Sequence, residues 1–208
     1  MDHIDLLLLE GFADWEPALL LAEIRRRSSL TLRVSTVNGR PVTSMGGLTV
    51  TPDAALSELE PVHSELLVLP GSDAWAAGDY PAPEVHALIQ RFLDAGTLVG
   101  AICGATVALA RGGFLAERAH TSNDPQWLAA VAPDYAGADH YRKDLVVEDQ
   151  GLVTAPGTAS TAFAAALLER LGLIDAETRR VFEVLYTTGR FPADADVAAY
   201  FSRASSRP

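Results

Sequence analysis

Only one cysteine, Cys103, occurs in the 208 residues. An intrachain disulfide is therefore excluded, and the chain is expected in a reducing, cytoplasmic setting where the core alone supplies stability. Long hydrophobic runs are missing too: 18 consecutive apolar residues occur nowhere, so no membrane-spanning helix is expected. The opening Met1-Asp2-His3-Ile4-Asp5 is acidic where a secretory signal would be basic, and the apolar run behind it stops at Leu9, so no signal peptide is expected. Basic residues are scarce. Against 27 Asp and Glu stand 16 Lys and Arg, a formal net charge of −11, which argues against nucleic acid or an anionic membrane as partner. Metal-ligand spacing is absent, and Gly46-Gly47 lacks the strand-loop-helix setting of a phosphate loop, so neither a metal nor another cofactor is expected.

What remains is a chain that is 49% apolar, without repeats, low-complexity tracts or a dividing linker. Its length and composition fit one domain over residues 1–202, with 203–208 a frayed tail. Ile4 to Leu9, Leu66 to Leu69, Leu98 to Ile102 and Leu152 to Thr154 are short, nearly continuous apolar runs, as expected of strands covered on both faces. Helical patterns lie between them at Pro17 to Arg27, Ala82 to Ala95, Thr106 to Arg111 and Ser160 to Leu171. The alternation implies an α/β three-layer sandwich with a mostly parallel, flavodoxin-like sheet. Two hairpins interrupt it, one over Val42 to Val50 around Gly46-Gly47, the other within Asp139 to Thr154 around Asp149-Gln150-Gly151. The stretch Val181 to Phe201 reads as one or two outer helices.

Ligands of such sheets bind beyond the carboxyl ends of the strands. There, Leu98-Val99-Gly100-Ala101-Ile102 ends abruptly at Cys103, followed by Gly104-Ala105 and a helix. Small residues on both sides are what a sharp strand-to-helix turn presenting a nucleophile requires. A thiol at a helix start faces free N–H groups and the positive end of the dipole, which favours its thiolate. The Gly104 N–H, with one from the Gly71-Ser72 turn, could form an oxyanion hole. The bland alternative is a buried hydrophobic cysteine. Asp14, Trp15 and Trp75 are placed near the pocket mouth, where an aromatic wall would suit a small ligand. Trp15 can equally be core.

Four stretches together resemble the ThiJ/PfpI superfamily, relatives of class I glutamine amidotransferases. They are Gly11-Phe12-Ala13-Asp14-Trp15-Glu16, Leu67-Val68-Leu69-Pro70-Gly71, Ala101-Ile102-Cys103-Gly104-Ala105, and Leu152-Val153-Thr154-Ala155-Pro156-Gly157-Thr158. The resemblance runs from about residue 4 to residue 172 and implies that Glu16 is the glutamate beside the cysteine. An ionised carboxylate would repel a thiolate, so Glu16 is expected to be protonated or to shuttle a proton. The chain also departs from its relatives. Gly104 stands where protease-like members carry histidine, and Thr154 to Ser160 lacks the His and Glu of true amidotransferases. Asn123 stands where another branch has a histidine, while His120, three residues earlier, is either a base reaching the pocket or a surface residue before a turn.

The expected catalytic set is thus Cys103, Glu16 and His120, with Gly71, Ser72, Gly104, Asn123 and Trp15 around the pocket. The expected function is a cysteine-dependent small-molecule hydrolase of amidase or protease type. The alternatives are a non-enzymatic oxidative-stress sensor using the same thiol, or an enzyme of the glyoxalase, deglycase or isocyanide hydratase kind. The partner is a small-molecule substrate, and the resemblance implies a homodimer.

Overall fold

A computed structural model describes residues 2–198 together with 200 and 201. The frayed tail expected at 203–208 lies outside the described residues. Nine strands appear: β1 (His3–Leu8), β2 (Thr31–Thr36), β3 (Val42–Thr43), β4 (Thr49–Val50), β5 (Ala54–Ala55), β6 (Ser64–Leu69), β7 (Leu98–Ile102), β8 (Val147–Asp149) and β9 (Leu152–Ala155). The α-helices of known bounds among the described residues are α1 (Trp15–Arg27), α2 (Asp73–Ala77), α3 (Ala82–Asp94), α4 (Ala105–Arg111), α5 (Pro125–Val131), α6 (Ser160–Arg170) and α7 (Ala176–Thr188).

Seven of the strands form one sheet in the order β5-β2-β1-β6-β7-β9-β8, parallel except where β8 runs antiparallel to β9. The expected parallel three-layer architecture is therefore present. So are both hairpins, the first as the separate pair β3-β4, the second as β8-β9 on the sheet edge. The apolar strands divide their side chains by parity. Leu6, Leu8, Leu66 and Val68 pack on one face with Leu20, Phe163 and Phe182. Leu7, Leu67, Leu69 and Val99 pack on the other with Leu88, Phe92 and Leu109. Burial on both faces is why these runs read as continuous rather than alternating. Asp5 is the exception inside β1; it is fully buried and its carboxylate accepts from the Arg33 guanidinium on β2, at 2.6 Å from Nε.

From β1 the chain moves outward to β2 and later returns to add β6 on the other side, so connections diverge between β1 and β6. That divergence opens a crevice at the carboxyl ends of these strands. The segment 10–16, the turn after β6 and the turn after β7 all meet there. Two further contacts shape this end. Phe12 bridges Ser72, and the Asp14 carboxylate accepts from Ser44 Oγ and the Gly46 N–H, tying the β3-β4 turn to the start of α1.

Candidate active site

Cys103 leaves β7 with a φ of +59°, the left-handed region that costs a residue with a Cβ about 1–2 kcal/mol. The turn is fixed by hydrogen bonds from the Cys103 N–H to the Ala155 carbonyl and from the Thr106 N–H to the Cys103 carbonyl. Thr106 Oγ1 donates to the same carbonyl and pairs with Ser122 Oγ. This geometry turns the sulfur outward, partly buried, at the strand-to-helix junction. A Cβ added to Gly104 would stand 2.7 Å from the Ser72 carbonyl oxygen. The histidine of protease-like relatives therefore has no room here without displacing the Ser72 turn.

Three segments close around the sulfur. Glu16, on the first turn of α1, is fully buried, and its Oε2 accepts a 2.6 Å hydrogen bond from the Gly71 N–H. Its Oε1 has no nitrogen or oxygen partner and lies beside the thiol. The Asn123 amide donates to Sγ at 3.3 Å, while its carbonyl oxygen accepts from the Gly157 N–H at 2.8 Å, which fixes the amide's orientation. Gly71 and Gly157 form the walls. A Cβ on Gly157 would lie 2.8 Å from Sγ and 2.9 Å from Glu16 Oε1, and one on Gly71 would lie 3.0 Å from Sγ. Trp15 is 52% exposed, and its indole N–H reaches the Gly157 carbonyl at 3.4 Å. A cavity of about 570 Å³ opens beside this group.

Burial pushes the Cys103 thiol up to about 11; the Asn123 amide acts against that rise, the Glu16 carboxylate adds to it, and the Gly104 N–H lowers it. The helix start therefore does not by itself make the thiol acidic, contrary to the expectation from the dipole, because α4 spans seven residues and desolvation outweighs its N–H groups. Burial also raises Glu16 above the usual carboxylate range, against the hydrogen bonds from Gly71 and Cys103. Both groups are raised, and they lie side by side. Their two titration steps belong to the dyad rather than to either residue.

Several expectations are corrected. His120 does not reach the pocket. It is fully buried, with Nδ1 against the Arg118 carbonyl, Nε2 paired with the Tyr135 hydroxyl, and the rings of Tyr135 and Tyr141 edge-on to it. The apolar shell of aromatic rings is a stable seat for a neutral imidazole, and burial lowers its pKa. Its contribution is indirect, since Tyr141 Oη donates to the Ser122 carbonyl in the segment that carries Asn123. The Gly71 N–H is engaged by Glu16, so it is no free oxyanion donor. Ser72 contributes structure: its hydroxyl donates to the Glu10 carbonyl and accepts from the Ala74 N–H. Trp75 is core, fully buried and bonded to the Pro70 carbonyl. Gly157 is a wall of the sulfur absent from the expected site residues; its signal in the sequence is the Pro156-Gly157 pair directly after a buried strand, which marks a close backbone approach.

A positive-φ cysteine between a buried strand and a helix, with a buried glutamate across the crevice, defines the class of α/β proteins built on a nucleophile elbow. Within that class the chain belongs to the DJ-1/PfpI family, whose pattern it matches over residues 2–170. It is 35% identical over 190 residues to the uncharacterized protease YoaZ of Bacillus subtilis, covering 88% of this chain and 90% of that protein. The crystal structure of the DJ-1 superfamily protein Atu0886 from Agrobacterium tumefaciens is similar with a TM-score of 0.83 and 40% identity, covering 91% of this chain and all of that one. A thiJ/pfpI family protein from Bacillus anthracis gives a TM-score of 0.83 at 32% identity, covering 98% and 95% of the two chains.

Proposed function

We propose that the protein is a cysteine-dependent hydrolase of small molecules in which Cys103 is the nucleophile and Glu16 carries the proton. The observation that supports this most is the Oε1 of a fully buried Glu16, which has no nitrogen or oxygen donor and lies beside the sulfur. An ionised carboxylate at full burial, with only a weak thiol donor for one oxygen, is costly, whereas a carboxylic acid places its O–H on Oε1 and donates to the sulfur. The sulfur already receives the Asn123 amide at 3.3 Å, a donor that suits a thiolate, and the Gly104 N–H at the helix start acts in the same direction. On this reading the resting pair is a thiolate with a neutral Glu16, the acid's O–H and the Asn123 amide offsetting the burial that otherwise raises the thiol.

In turnover the sulfur attacks a carbonyl carbon, forming a C–S bond as the π pair moves to oxygen. Collapse of that adduct expels the amine or alcohol, which takes the Glu16 proton. Water then attacks the thioester and gives up a proton to the Glu16 carboxylate, releasing the acid and restoring the thiolate and neutral Glu16. The relative named as an uncharacterized protease is consistent with acyl chemistry of this kind. The test is turnover of a panel of small amides, esters, isocyanides and glyoxals. Activity on a member of the amide or ester set that is lost in Cys103→Ser supports the proposal; a panel left untouched by the wild type refutes it.

A second reading rests on the same donors. The Asn123 amide and the Gly104 N–H would hold the oxygens of an oxidised Cys103, and among the described residues no histidine lines the cavity to serve as a catalytic base. Mild peroxide adding two oxygens at Cys103, seen by mass spectrometry in the absence of any turnover, would establish the sensor role instead.

A further inference from the structure

Among the described residues no lysine, arginine or histidine lines the cavity beside Cys103, and the ionisable ones that do are Glu16 and Cys103. A Cys103 thiolate puts a negative charge there with no basic side chain in the lining, in a chain whose formal net charge is −11. The adjoining cavity is lined by one basic side chain, Lys143, and by two acidic ones, Asp124 and Asp144. The two cavities meet at Asn123 and Pro156. An anionic substrate would meet a like charge at the sulfur and no partner for its own. On the rim stands Trp15, with much of its ring uncovered yet tied by its indole N–H to Gly157, the residue that walls the sulfur. Pro156 lies beside it, and the polar side chains of the outer rim are the neutral hydroxyls of Thr158 and Ser160.

We infer that this site selects small neutral electrophiles bearing a planar apolar group that packs on Trp15, and rejects those bearing a carboxylate or phosphate. Trp15 is the residue that sets this specificity. The inference rests on the reading of Cys103 as a nucleophile, and it concerns what reaches the sulfur rather than what happens afterwards.

Because Cys103 is the only cysteine, alkylation rates report this site alone. The probes are iodoacetamide, iodoacetate and N-benzyl iodoacetamide, each rate divided by its rate with a free small thiol. In each reaction the sulfur forms a C–S bond to the methylene carbon as the C–I bond breaks and iodide leaves. Iodoacetate is expected to lag iodoacetamide by about tenfold, as a like charge at short range requires. The benzyl reagent is expected to lead iodoacetamide by roughly five- to tenfold, the range of an aromatic contact. That lead should vanish in Trp15→Ala and largely survive in Trp15→Phe. Thr158→Lys, a substitution at an exposed rim position, should raise the iodoacetate rate relative to iodoacetamide. Equal corrected rates for iodoacetate and iodoacetamide, or a benzyl lead that persists in Trp15→Ala, would overturn the inference. Selectivity that holds while no substrate turns over would sink the hydrolase reading alone; Cys103-dependent turnover confined to carboxylate substrates would sink this inference alone.

Discussion

Replacing Gly157 by alanine tests how tightly the loop after β9 is seated on the sulfur. The Gly157 backbone lies outside the left-handed region, so alanine carries no conformational penalty and its effect is steric. The new methyl would stand 2.8 Å from Sγ, 3.0 Å from Cys103 Cβ and 2.9 Å from Glu16 Oε1. Ordinary contacts are about 3.5–4.0 Å, so the loop or the sulfur must move by close to 1 Å. Neither moves freely. Gly157 is bonded to Asn123 through its N–H and to Trp15 through its carbonyl, and Cys103 is held at its turn by Ala155. Overpacking of this kind costs about 2 kcal/mol. For a chain of this size that lowers the thermal midpoint by about 4–8 °C. Calorimetry on the wild type, Gly157→Ala, Cys103→Gly and the double variant gives the coupling. In the Cys103→Gly background both the sulfur and its Cβ are gone, so Gly157→Ala should lose most of its effect. An unchanged midpoint in Gly157→Ala, or an equal loss in both backgrounds, would refute the contact.

Two other expectations follow from the hydrogen bonds. Asn123→Asp keeps the acceptor for the Gly157 N–H, removes the donor to Sγ and sets a carboxylate beside it, so the pH at which Cys103 becomes reactive should rise by at least about one to two units, the worth of the lost hydrogen bond to a charged group, with the added like charge acting in the same direction; an unmoved alkylation profile would contradict it. His120 is held neutral by burial, so the unfolded chain binds the extra proton as pH falls below about 6.5 and stability must drop there. Urea midpoints at about pH 7 and about pH 5.5 should converge more in His120→Gln than in wild type, while Glu16, whose raised carboxyl works in the opposite direction, is common to both; equal slopes in the two proteins would contradict this.

The layered architecture was legible because β1, β6, β7 and β9 are buried on both faces and therefore apolar along their length. β2 was not: Thr31–Thr36 is polar, starts exposed, and is held by its register with β1 and by the Asp5–Arg33 ion pair rather than by an apolar run. The two-residue β5 leaves no periodic trace. At the site, Cys103 and Glu16 stood out through the small residues around the elbow and the family pattern. His120 misled because a histidine in a loop reads alike whether it faces a pocket or a cage of tyrosines supplied by residues 135 and 141. The engagement of the Gly71 N–H by Glu16 could not be read, since it depends on α1 and the β6 turn meeting across the crevice.

The claim on which the chemistry depends is that Glu16 Oε1 holds a proton while Cys103 is a thiolate. It is tested most directly by the alkylation rate of Cys103 against pH, in the wild type and in Glu16→Gln. If the carboxylic acid supports a thiolate, the wild-type sulfur becomes reactive in the lower of the two steps, before neutral pH, and Glu16→Gln shifts that onset upward because an amide N–H is a weaker donor. A wild-type thiol that stays inert until about 11, and that becomes reactive at lower pH once the Glu16 charge is removed, would contradict it.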